Sequence, residues 1–239
     1  MPYLWKAMKA GLRSGYDGSQ WEIGKWRKVD GKVKFYSNGF HASENIIDAM
    51  KYTDMEVLAK VEVRGEIEIN DNKQAWTEMR VVKAWEWKKE DSVALTIYAT
   101  KLVIDNFERK YSDDKRPRQA INAARAWLKN PTEENKLAAW AAKSAAESAI
   151  WAAESVAWAA ESVAGAAWSA AWAARSAAES VAWVVESVAE PTRAAAWSAA
   201  WAAKPAVWTA AYQEILAKCH RWVVRRIRKL TPIERKDEK

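Results

Sequence analysis

A seven-residue, alanine-rich repeat in the second half of the chain constrains the fold more than any other feature. Between Leu137 and Ala217, Ala is by far the commonest residue, and Ala is the best helix former. Serines recur there at a constant heptad interval, at Ser148, Ser155, Ser162, Ser169 and Ser176. The repeat predicts that this half of the chain is helical.

Tryptophan accompanies the repeat. The rings at Trp140, Trp151, Trp158 and Trp172 are separated by close to whole numbers of helical turns, so they return to one face of a helix. We expect most of the Trp rings in this region to fill a core between closely packed Ala faces. The glutamates before the first three serines, Glu147, Glu154 and Glu161, are expected on a solvated face.

Helix-breaking residues divide this region. Pro191 and Pro205 each require a stop or a kink, and Thr132 before two glutamates is a good helix start. We therefore predict at least three helices between residues 133 and 228, folded back on one another. The alternative is one long Ala coil that self-associates through its heptads.

The first half of the chain has mixed patterns that predict an α+β fold. Alternation from Val57 to Ile69 indicates a strand interrupted at Gly65. Further predicted elements are strands at Val33–Tyr36 and Met79–Trp87, a helix at Glu44–Tyr52 capped by Ser43, and a helix from about 93 to 110. The domain prediction is an α+β head at 1–90, an all-α Ala/Trp-rich multi-helix domain at 91–230 and a polar tail at 231–239.

Composition excludes several classes of protein. One Cys cannot form an internal disulfide framework, and two His do not make a His-rich metal site. The longest uncharged stretch of the Ala/Trp region, Ser162–Ala174, is too short to span a bilayer. Positions 1–20 show no apolar run typical of a signal peptide. We expect a cytoplasmic protein without cofactor or metal.

Two groups of residues are candidates for binding. The formal net charge is +7, and nearly all of the excess lies beyond Ala217, where basic residues clearly outnumber acidic ones. Arg221, Arg225 and Arg228 follow helical spacing there, beside Trp222, and form a candidate electrostatic surface. The other candidate is His41, which follows the turn residues Ser37-Asn38-Gly39; a structural histidine in a turn is the alternative.

The head resembles a small domain of unknown function common in phage and prophage proteins. The resemblance lies in Trp21-Glu22-Ile23-Gly24-Lys25 and in Lys34 to Asn45, which contains Gly39-Phe40-His41-Ala42-Ser43-Glu44-Asn45. Asp48 also matches the pattern of that domain. Trp21, Ser43 and Ile46 replace its usual Tyr, Cys and Pro. The resemblance implies a shared head module followed by a variable region.

The second half resembles the helical domain of immunity proteins from bacterial polymorphic-toxin systems. The matching run, Asp114 to Trp127, reads DKRPRQAINAARAW and precedes an Ala-rich stretch with periodic large residues. That family usually has His and Arg where this chain has Trp, Glu and Ser. The two resemblances together cover most of the chain from position 3 to position 228.

These resemblances imply a phage or mobile-element protein of the immunity or anti-defence kind, which binds and neutralises a partner without catalysis. A protein partner is expected first; a nucleotide or nucleic acid, and self-association, are the alternatives. Two other functions stay open. One is sequestration of a nucleotide signal, and the other is an ADP-ribosyltransferase-like activity of the head.

Overall fold

The computed structural model describes residues 3–50, 55–70, 72–102, 104–110, 112–139, 141 and 208–234. The chain divides into two compact units, Met1–Lys88 with Val223–Lys239, and Lys89–Trp222. We call them the head unit and the helical unit. Most of the Ala/Trp repeat lies outside the described residues. The expectations of at least three helices, buried Trp rings and a solvated Glu stripe therefore stay predictions.

The head unit is built on an antiparallel sheet. Its strands are β1 (Leu4–Met8), β2 (Arg27–Lys28), β3 (Phe40–Ala42), β4 (Val57–Asn70) and β5 (Lys73–Glu86). They lie in the order β1-β4-β5-β2, and β3 also pairs with β5. With the short helix α1 (Ile46–Ala49), this confirms the predicted α+β fold of the N-terminal region.

The β4–β5 hairpin forms the centre of the sheet. The alternation predicted from Val57 is confirmed, because Val57, Ala59, Val61 and Val63 are all buried in the core. The pairing register shifts between Arg64 and Ile67, and Gly65 lies in this irregular stretch with a positive φ of 89°. The strand predicted at Met79–Trp87 begins earlier, at Lys73, because polar residues there pair with the exposed end of β4.

The predicted strand Val33–Tyr36 is wrong. The chain reverses there, since the amide of Asn38 donates to the carbonyl oxygen of Lys34 at 2.9 Å. Tyr36 takes a left-handed backbone conformation with φ 65°, which lies outside the β region. The turn predicted at Ser37-Asn38-Gly39 therefore begins earlier, at Lys34, and takes the place of the predicted strand.

The predicted helix from Glu44 begins later, at Ile46. Its N-cap is Asn45, whose side chain accepts from the amide of Ile47 at 2.9 Å. The predicted cap, Ser43, is wrong because its backbone pairs with Trp5 of β1 through bonds of 2.8 and 2.9 Å. The expected apolar face is confirmed, with Ile46, Ile47 and Met50 buried. The far end of the predicted helix lies outside the described residues.

The helical unit contains α2 (Lys89–Lys101), α3 (Ile104–Lys110) and α4 (Arg116–Lys129). The single helix predicted over about 93–110 is wrong, because α2 ends at Lys101 and α3 begins at Ile104. Residues 133–139 are helical, and the predicted start is confirmed by Thr132 Oγ1, which accepts from the amide of Asn135 at 3.2 Å.

An apolar cluster and an ion-pair group hold these helices together. The buried cluster is Val93, Ile97, Ile104, Ile121, Ala124 and Ala139. Arg118 of α4 pairs with Glu108 of α3 at 2.6 Å and with Asp105 at 3.2 Å. The Arg118 guanidinium lowers the pKa of the Glu108 carboxyl. Charge-assisted pairing of this kind fixes the orientation of two short helices.

The last described helix, α5 (Trp208–Ile227), has two contrasting faces. Cys219, Val223 and Ile227 are buried, whereas Arg221 and Arg225 are exposed. Beyond it, Ile233 donates its amide to the carbonyl oxygen of Ala84 at 2.8 Å. No helix within the described residues is both long enough and apolar enough to cross a membrane.

Candidate ligand-binding cleft of the head unit

The head unit contains a cleft of about 290 Å³. It is lined from β1, from the loop at 14–16, from the turn at 34–38, from β3 and the residue after it, from the last residue of α1 and from the first residue of β5. Its polar and aromatic lining residues include Lys6, Ser14, Tyr16, Tyr36, His41 and Lys73. No carboxylate is among the described residues that line it. The described wall of the cleft therefore gathers basic and aromatic groups.

Strand pairing brings the basic residues together. The backbone pairing of Trp5 with Ser43 places β1 beside the end of β3, and His41 of β3 is paired with Ala75 of β5. Lys6 Nζ then donates a hydrogen bond of 3.0 Å to the carbonyl oxygen of His41. These pairings bring Lys6 of β1 and Lys73 of β5 close to His41.

His41 is held as a neutral side chain. Its ring stacks on Phe35 with centroids 5.5 Å apart. Burial, together with the positive charges of Lys73 and Lys6, lowers the pKa of His41 to about 4. Its Nε2 atom is buried and has no hydrogen-bond partner among the described residues. At neutral pH this imidazole is therefore uncharged and has an unsatisfied polar atom, which costs free energy.

The two lysines of the cleft are partly withdrawn from water and repel one another. Burial, the positive charge of Lys73 and that of Arg27 together lower the pKa of Lys6 to about 8, against an opposing effect of Asp17. Burial also lowers the pKa of Lys73. At neutral pH Lys6 still carries its proton. Two cations gathered in one wall, with no carboxylate among its described residues, create a site that favours an anion.

Asp17 is the acidic residue that acts on Lys6, but its carboxylate is already bound. Hydrogen bonds from Ser14 and Ser19 lower its pKa to about 2, and the Ser19 hydroxyl donates to it at 2.8 Å. It orders the loop at 14–19 beside the cleft.

Two tyrosines flank the cleft at its exposed side. Tyr16 and Tyr36 are 84% and 67% exposed. The Tyr16 hydroxyl donates to the carbonyl oxygen of Tyr36 at 3.4 Å, and Lys73 Nζ lies 4.9 Å from the centre of the Tyr36 ring. Exposed aromatic rings beside cations offer stacking surfaces for a planar ligand.

The residues predicted as binding sites lie in different places. His41 lines the cleft, whereas none of Arg221, Trp222, Arg225 and Arg228 does. Arg221, Arg225 and Arg228 are exposed. Trp222 is half-buried and stacks on Tyr98, with centroids 5.8 Å apart. The tail candidates therefore form a separate basic surface.

Sequence reasoning missed Lys6, Lys73 and Tyr36. The lysines occupy strand positions that carry no motif, and only strand pairing brings them to His41. Tyr36 had a usable signal, because Ser37-Asn38-Gly39 predicts a tight turn that exposes a neighbouring side chain.

A family model described as a domain of unknown function, DUF7666, matches residues 3–91. No curated protein and no solved structure matches the chain. The chain therefore has an N-terminal domain of unknown function, and the cleft lies within the matched residues.

Proposed function

We propose that this protein acts by binding and not by catalysis, and that the head cleft captures a small anionic ligand. The observation that carries this proposal is the cluster of Lys6, Lys73 and His41, with no carboxylate among the described residues that line the cleft. An anion there would offset the repulsion between the cations. It would also bring a polar neighbour to the Nε2 atom of His41.

The biological role we propose is the sequestration of a soluble signalling ligand. It combines the anion-binding cleft with the resemblance of the head to phage and prophage domains. A phage or mobile element that removes such a signal in the host cytoplasm would blunt a defence response. In this role, the protein neutralises a host factor indirectly, by capturing the signal on which that factor depends.

This proposal is tested by identifying any ligand that stays bound to the protein during purification. Purified full-length protein is denatured with heat, and the released small molecules are identified by mass spectrometry. We expect an anion in stoichiometric amount, reduced in Lys73→Gln and retained in Lys28→Gln, whose lysine is exposed outside the cleft. No released anion, together with no change in melting temperature on adding phosphate or nucleotides, would contradict capture by the head.

A second candidate is neutralisation of an acidic protein partner. It is favoured by the exposed Arg221, Arg225 and Arg228, which follow helical spacing and lie opposite the buried Val223 and Ile227. A basic face of this kind steers association with a negatively charged surface. This candidate retains the immunity-protein role expected from the resemblance of the second half.

The cleft gives little support to an ADP-ribosyltransferase-like enzyme. Cleavage of a glycosidic bond develops positive charge on the sugar, which a nearby carboxylate stabilises. The wall of the cleft presents lysines instead. The enzyme hypothesis would be favoured if the wild-type protein turned over NAD and a correctly folded His41→Ala variant did not.

A further inference from the structure

The cations of the cleft come from two different strands. Lys6 extends from β1 and Lys73 from the start of β5, and both line the cleft. Lys6 Nζ donates to the His41 carbonyl oxygen at 3.0 Å, which uses one of the three protons of its ammonium group. Phosphate oxygens accept hydrogen bonds from lysine strongly, so two lysines in one wall suit a phosphate group.

Tyr36 takes a strained backbone conformation within the turn closed by Lys34 and Asn38. Its φ of 65° lies in the left-handed region, which glycine and asparagine adopt more readily than tyrosine. The side chain is mostly exposed and gains little from burial. Strained residues of this kind cluster at ligand sites, and this one presents a ring beside Lys73.

The size of the cleft limits the ligand. Its volume of about 290 Å³ is close to the lower limit for ligand pockets, which is about 300 Å³. That volume suits a single nucleotide better than a dinucleotide or an oligonucleotide. The neutral His41, with its unsatisfied Nε2 atom, offers one further polar contact for a hydroxyl or amino group.

On the basis of the anion capture proposed above, we propose that the head cleft binds a nucleoside monophosphate. The phosphate lies against Lys6 and Lys73, and the base stacks on the exposed ring of Tyr36. Tyr16, which also lines the cleft, encloses the base.

Calorimetric titration of the full-length protein tests this assignment. The probes are the four ribonucleoside 5′-monophosphates, the corresponding nucleosides and inorganic phosphate. Stacking of one base predicts that at least one nucleotide binds about tenfold more tightly than phosphate. It should also bind more tightly than its own nucleoside, which lacks the anion.

Three variants separate the contribution of the base to binding from that of the phosphate. Tyr36→Gly removes the ring and suits the left-handed backbone, so the fold is retained. It should abolish the preference for nucleotide over phosphate while phosphate still binds. Lys73→Gln should weaken both ligands. Lys28→Gln, at an exposed position outside the cleft, should change neither.

The outcomes distinguish this inference from the proposed function. If phosphate binds as tightly as every nucleotide, and Tyr36→Gly changes nothing, the nucleotide assignment is wrong and anion capture stands. If no probe binds the wild-type protein, both the nucleotide assignment and anion capture by the head are wrong.

Discussion

Lys6 Nζ donates a hydrogen bond of 3.0 Å to the carbonyl oxygen of His41, joining residues that lie 35 positions apart in the chain. The bond fixes the ammonium group at the backbone of β3. Because Lys6 lines the cleft on β1 and His41 on β3, this single contact ties the position of the cation to the pairing of the sheet. Substitutions that loosen β1 should therefore also weaken anion binding.

The pH dependence of anion binding should follow Lys6. Its pKa is lowered to about 8, so it loses its proton between neutral and alkaline pH, and the anion loses one cation. Affinity for inorganic phosphate should fall several-fold between about pH 7 and about pH 9. Lys6→Arg keeps its charge over this range and serves as the control, because the titration of the probe is the same for both proteins. Equal slopes in calorimetric titrations would show that Lys6 does not contact the anion.

Protein stability should fall in acid because of His41. Its pKa is about 4 in the folded protein, against an ordinary value of 6.5. Between those values the unfolded chain binds more protons, so the free energy of unfolding decreases as pH falls from 6.5 to 4. With solvent screening allowed for, the loss is on the order of 1–2 kcal/mol. Urea denaturation of wild type and His41→Gln checks this, since the variant should show a flatter pH profile in that window.

Gly65 should tolerate a side chain poorly. Its φ is 89°, and a Cβ there would collide with Thr77 Oγ1, the atom that accepts from the amide of Glu66 at 3.0 Å. Gly65→Ala should destabilise the head by about 2–4 kcal/mol, from backbone strain plus the collision. Gly18→Ala is the matched control, because φ is 69° there and nothing lies within 4 Å of a Cβ. In denaturant unfolding, the control should lose only about 1–2 kcal/mol of stability. Equal losses of stability in the two variants would mean that backbone strain accounts for the whole effect.

Charge reversal on the tail should spare the fold. Arg225 and Arg228 are exposed, so the double change to Glu should alter the free energy of unfolding by about 1 kcal/mol or less. The same protein should elute from a heparin column at lower salt than wild type. Charge reversal of Lys28 and Lys32, which are exposed in the head, is the control for net charge. If both double variants elute together, the tail has no special role in anion contact.

Parts of the fold could be predicted because local pattern and tertiary structure agree. The alternation of Val57, Ala59, Val61 and Val63 is the buried face of β4, and Thr132 caps a helix as its residue type favours. The prediction failed at Tyr36, where the turn closed by Asn38 and Lys34 overrides strand propensity.

The cleft was harder to predict because it depends on long-range pairing. His41 stood out beside a turn, but Lys6 and Lys73 resemble any other lysine on an exposed strand. Only the pairings of β1 with β4, and of β3 and β4 with β5, bring them together. The bond from Ile233 to Ala84 of β5 likewise has no local signal, since a short polar segment carries no periodicity.

Capture without turnover is tested most directly by incubating the full-length protein with each ribonucleoside monophosphate and recovering the ligand. Equilibrium dialysis measures the bound fraction, and chromatography of the released ligand measures its chemical state. We predict that at least one nucleotide is retained by the wild-type protein, is retained less by Lys73→Gln, and is released unchanged. Absence of retention, or conversion of the ligand that stops in His41→Ala, would contradict a binding protein whose cleft holds an anion without reacting with it.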